Sequence, residues 1–84
     1  MKLKDIQNLI NQHIGGEEYI DNISQADRNN IIQELKNNKN WHLIDNISSS
    51  NNEWYFFQKK NTNTTISIND GKDDIYDIIC FFVG

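Results

Sequence analysis

Two histidines, one cysteine and a set of carboxylates are the side chains of this sequence that could do chemistry. His13 and His42 are imidazoles, which titrate near neutral pH and can work as an acid–base pair. Neither has a serine or cysteine beside it in a nucleophile motif, so the pair gives little ground for catalysis. His13 falls at the end of a helical pattern, where a positive charge suits the helix dipole. His42 alternates with Trp41 and Leu43, which puts it on the opposite strand face. Cys80 stands between Ile79 and Phe81. Apolar surroundings raise a thiol pKa and make it inert, so core packing is the expected role. A single cysteine cannot form an intrachain disulfide, which suits a reducing cytoplasm.

The carboxylates are more suggestive. "NDGKDDIYD" carries Asp70, Asp73, Asp74 and Asp77. A calcium loop needs ligands at alternating positions, a central glycine and a terminal glutamate. The run lacks that order, so neither a metal nor a cofactor is expected. The plain reading is a turn with solvated charges. The sharper one joins the run to Glu17, Glu18 and Asp21 as an acidic patch. Such a patch engages a surface rich in lysine and arginine, its carboxylates standing where phosphates would.

Aromatic mass gathers in "WHLIDNI" and "EWYFFQKK". Trp54 and Phe56 share one face and Tyr55 and Phe57 the other, so both faces cannot be wet. An aromatic left exposed anchors a protein interface or stacks on bases. Trp54 and Phe81 are the anchors expected here. Stacking platforms sit in basic grooves, and Lys59 with Lys60 is the only adjacent basic pair among these strands.

The elements that must position these residues follow from periodicity. Leu3, Ile6, Leu9, Ile10 and Ile14 recur at spacings of three and four, which predicts a helix over 2–14. Gly15 and Gly16 stop it. "EEYIDNI" (17–23) reads as one helical turn or a loop. Ser24 then caps a second helix over 24–38, with Ala26, Ile31, Ile32 and Leu35 as its buried stripe. From residue 41 the period becomes two. Strands are predicted over 41–47, 53–60, 64–69 and 73–83. Asp70–Gly71 predicts a two-residue hairpin turn between the last two. The expected fold is α+β: a single domain with two N-terminal helices packed on one face of a four-stranded antiparallel meander.

The last predicted strand, "DDIYDIICFFVG", is apolar on both faces. Tyr76, Ile78, Cys80 and Phe82 face one way; Ile75, Asp77, Ile79, Phe81 and Val83 face the other. At the edge of a meander it would invite pairing with another chain. Three arrangements resolve this: a central position with neighbours on both sides, cover from the first helix, or a partner, including a second copy.

Composition narrows the function classes. The chain has 84 residues and a net charge of −4. An acidic domain repels phosphate backbones, which argues against direct nucleic-acid binding and for a basic protein partner. The first residues hold no continuous apolar run, so neither a signal peptide nor a membrane span is expected. Proline is absent while asparagine, isoleucine and lysine abound, a bias that points to a low-GC bacterium or its infecting elements. The expectation is a small, acidic, non-enzymatic binding protein that inhibits or masks a partner by occlusion. Phage inhibitors of host nucleic-acid enzymes, anti-CRISPR proteins among them, share this profile, as do toxin immunity proteins. Two rivals are a structural homodimer and a winged-helix DNA-binding regulator. The latter would use Arg28, Lys36 and Lys39 on the second helix and Lys59 and Lys60 in the wing.

Overall fold

The structure is a computed structural model and describes residues 1–71 and 78–84. In chain order the elements are α1 (Leu3–Gln12), β1 (Gly16–Ile20), α2 (Gln25–Lys36), β2 (Trp41–Ser49), β3 (Asn52–Lys59), β4 (Thr65–Asn69) and β5 (Ile79–Val83). The class is α+β, with one antiparallel sheet of five strands in the order β1-β5-β4-β3-β2. The expected meander is present from β2 to β5. The correction is β1: "EEYI" is neither a helical turn nor a loop but a fifth strand, paired along β5.

That strand answers the question posed by the chain's apolar end. β5 is held on both sides, with Glu18 opposite one side of Phe81 and Ile66 opposite the other. Its inner face is core and its ladder is complete, so β5 is not an edge.

The Asp70–Gly71 hairpin is a second correction. A two-residue turn there would pair Asn69 with Lys72 and bring Ile68 opposite Asp73. Instead Ile68 lies opposite Ile79, and Ile66 opposite Phe81. A register is fixed by what it buries, and apolar pairs outweigh the local preference of a turn. The first residues of the predicted last strand, including Asp73, Asp74, Tyr76 and Asp77, lie outside the described residues.

Both helices cover one face. Leu3, Ile6 and Ile10 of α1 join Ile31, Ile32 and Leu35 of α2 over Trp41, Tyr55, Phe57, Ile66, Ile68, Ile79 and Phe81. Leu9 is only half-buried and Ile14 lies outside the helix, fully exposed, so the predicted stripe is longer than the real one. Ser24 caps α2 as expected, its Oγ accepting the Asp27 N–H at 3.1 Å. The stop of α1 differs from expectation: it ends at an extended His13, before the glycines. α2 ends at Asn37, with φ −95°. Glu34 of α2 caps α1, its carboxylate accepting the Leu3 N–H at 2.9 Å. A negative charge there complements the positive end of the helix dipole.

Arg28, not Ala26, completes the buried stripe of α2. Its guanidinium donates to the carbonyls of Ile23 at 3.0 Å, Asn69 at 2.6 Å and Gly71 at 2.9 Å. One charged side chain thus ties α2 to the end of β4.

Candidate functional site

The strands present their other side chains away from the helices; among the described residues no helix lies over that side, though at the end of β4 Asn69 is fully buried. Register sets these side chains in rows. Tyr19, Cys80, Ser67, Phe56 and Asp45 form one row from β1 to β2. Glu17, Phe82, Thr65, Gln58 and His42 form the next. Asn69, Trp54 and Ile47 form a third, shorter one. Tyr19, Ile47 and Phe82 are exposed by 54%, 51% and 38%. Trp54 and Phe56 stack at 6.4 Å between ring centroids and are part-buried. The face therefore exposes several apolar side chains, with Tyr19 and Phe82 in adjacent rows, a feature that interaction surfaces share. Its strands set Glu17 and Asp45 among the rings, while Lys59 and Lys60 line a pocket with His42 and Gln58 at one end of the face.

The charges act on their neighbours. The Tyr19 hydroxyl donates to Glu17 Oε2 at 3.2 Å. The negative charge of Glu17 and this bond raise the Tyr19 pKa above the ordinary phenol value. Cys80 lies between these residues and Ser67. Burial raises its thiol pKa, and Glu17 adds to the effect. A thiol held neutral is a poor nucleophile.

The expected site residues do not form one patch. Glu17, Glu18 and Asp21 are exposed on and beside β1. Asp70 sits at the far end of β4 and is engaged: its Oδ1 accepts the Glu53 N–H at 3.1 Å, and its carbonyl accepts Gln25 Nε2 at 2.9 Å. Asp73, Asp74 and Asp77 lie outside the described residues. Trp54 shares the open face with Glu17, but three strand spacings and four residues along the sheet put them about 20 Å apart. Phe81 is 2% exposed and belongs to the core, so it cannot anchor a partner. Its neighbour Phe82 faces outward instead. Once Ile66 and Ile68 define the inner face of β4, pairing them with Phe81 and Ile79 fixes Phe82 on the outer one. That signal was in the sequence. Tyr19 was hidden because its segment did not read as a strand.

His13 caps α1 on the helix side of β5 and His42 lies on the open face of β2, three strand spacings or about 14 Å away across the sheet, too far to share one substrate atom. His13 meets Phe81 edge to face at 5.6 Å. Arg28, one of the basic residues of the winged-helix reading, is buried. Lys36, another, lies 4.6 Å over the Tyr55 ring. Among the described residues no three His, Cys, Asp or Glu side chains gather as a metal set. Among the same residues no helix is long and apolar enough to cross a membrane.

No family model matches this sequence, no curated protein matches it, and no solved structure matches it.

Proposed function

We propose that the chain is a non-enzymatic binding protein that masks a partner protein by laying the open face of its sheet against it. The observation that carries this is the pair of exposed aromatics Tyr19 and Phe82 on the open face, with the part-buried Phe56 in the row of Tyr19, backed by a two-helix layer. Aromatic side chains on a preformed surface make efficient interface anchors, because little conformational entropy is lost on binding. The net charge of −4, with Glu17 and Asp45 on the face, favours a basic partner surface. A nucleic-acid-handling enzyme has such a surface, and occluding it is inhibition. The single free thiol, Cys80, suits a cytoplasmic setting.

The same rings could stack on single-stranded bases, but such platforms sit in basic grooves, and here Lys59 and Lys60 at one end stand against Glu17, Asp45 and a net charge of −4. The two readings part in one experiment. Tagged protein and a Tyr19→Ala/Phe82→Ala variant are each passed through nuclease-treated host lysate. A protein retained by the wild type and lost by the folded variant supports the proposal. Equal retention by both, or recovery of nucleic acid alone from untreated lysate, overturns it.

A further inference from the structure

Among the described residues β1 is one of the two edges of the sheet, and its outer side has a particular design. Alternate residues of an antiparallel strand point their N–H and C=O groups at the neighbour and away from it. The Tyr19 N–H donates to a side-chain acceptor, Glu18 Oε1, at 3.3 Å. Tyr19 and, two residues back, Glu17 thus belong to the outward set. The Glu18 carboxylate stands where the carbonyl of a sixth strand would be, in a long and exposed bond that a backbone carbonyl could replace.

Beside this edge, between β1 and α1, runs a groove of about 460 Å³. Its apolar wall is Leu9, Ile20 and Phe81, with Leu9 exposed by 39%. His13 Nε2 in the same wall is buried and has no hydrogen-bond partner among the described residues. Glu18 and Asp21 rim the groove, and no lysine or arginine lines it. Glu17 stands on the opposite face of the same strand.

We infer that β1 accepts an extended basic segment of a partner protein as a sixth strand. Main-chain bonds to Glu17 and Tyr19 give such an added strand its affinity, and pockets for alternate side chains give its specificity. Here one set of side chains drops against Leu9, Ile20 and Phe81. The other set lies beside Glu17 on the open face, and lysine or arginine there meets a carboxylate. Asp21 and the released Glu18 receive cations at the groove rim. This site does not rest on the open-face reading: it uses backbone groups of an edge, where that reading uses rings on a face.

The test uses a short peptide alternating lysine and valine, its counterpart alternating glutamate and valine, and a lysine–valine peptide N-methylated at every second residue. Binding to the full chain is followed by amide chemical shifts and hydrogen exchange. The lysine–valine peptide should shift residues 16–21 and slow exchange at Glu17 and Tyr19. The N-methylated peptide keeps every charge and side chain but loses the donors, and should bind about tenfold more weakly or worse. The glutamate peptide should not bind. Equal binding of the N-methylated peptide would show charge attraction alone and overturn the inference. So would shifts confined to β2, no binding of the lysine–valine peptide, or a dimer whose β1 amides are already protected by a second copy.

Discussion

The Tyr55 hydroxyl donates to Glu53 Oε2 across 2.6 Å, two residues apart on the helix-side face of β3. The ring is 8% exposed, with Lys36 Nζ 4.6 Å above it. The bond pushes the Tyr55 pKa up to about 12, with burial and the Glu53 charge adding to it. It also holds the Glu53 carboxyl below the usual carboxylate range. The fold therefore favours the neutral phenol. That stabilisation is complete below the ordinary phenol pKa near 10 and is lost as pH rises through about 12. The Glu53 contribution runs the other way: present above its unfolded pKa, lost as pH falls through the depressed folded one. Tyr55→Phe should cost about 1 kcal/mol at neutral pH. In urea titrations it should also flatten the alkaline loss of stability. A wild-type-minus-variant phenol titration centred near pH 10 would show that the bond does not form in solution.

Arg28 should be the least replaceable polar residue of the core. Its donors satisfy the carbonyls of Ile23, Asn69 and Gly71 at once. Arg28→Ala strands those carbonyls and opens a cavity, a loss of about 3–5 kcal/mol by analogy with broken buried charge contacts. For a domain of this size that is much of the total stability. Arg28→Lys should rescue little, because an ammonium cannot span three separated acceptors as a guanidinium fork does. Thermal unfolding of both variants checks this; a lysine variant melting with the wild type would refute the fork.

How much of this was legible depended on whether the signal was local. Ser24 and the stripe Ile31, Ile32 and Leu35 announce α2, because capping and the 3.6 period act within a few residues. "TTISIN" announces β4 through clean alternation. β1 left no such mark: its five residues are mostly exposed, so burial imposed no pattern on them. Its strand state comes from pairing with β5, about sixty residues away in the chain. Arg28 is hidden for the same reason, since two of its acceptors, Asn69 and Gly71, lie 41 and 43 residues on. The acidic residues could be named one by one. Their separation from Trp54 could not be read, because it follows from strand order.

The adjacent phenylalanines of β5 should behave as opposites. Phe81 is 2% exposed and Phe82 38% exposed, on opposite faces of one strand. Phe81→Ala removes a core ring and should cost about 3–5 kcal/mol. Phe82→Thr keeps a good strand former on the open face and should cost about 1 kcal/mol or less. The masking function predicts the reverse order for binding, with Phe82→Thr losing the partner while the domain stays folded. Urea unfolding and partner retention, measured on the same preparations, check both halves. If Phe82→Thr retains the partner as well as the wild type, Phe82 is not an anchor.

Cys80 gives the open face a built-in reporter. It lies in one row with Tyr19, Ser67 and Phe56, part-buried, and burial is the main reason its thiol pKa is raised. Alkylation requires the thiolate, so at neutral pH iodoacetamide should label Cys80 more slowly than free cysteine. The rate should climb only as pH passes the ordinary thiol range. The neutral thiol is the form the fold favours, so its contribution to stability is present below the unfolded pKa and falls away above the folded one. Glu17→Gln removes the second cause of the shift and should speed labelling modestly. A protein docked on this face shields the row and should slow labelling further, whereas a peptide paired along the outer side of β1 leaves Cys80 reachable. Labelling faster than free cysteine would mean an activated thiol and would turn attention from binding to catalysis.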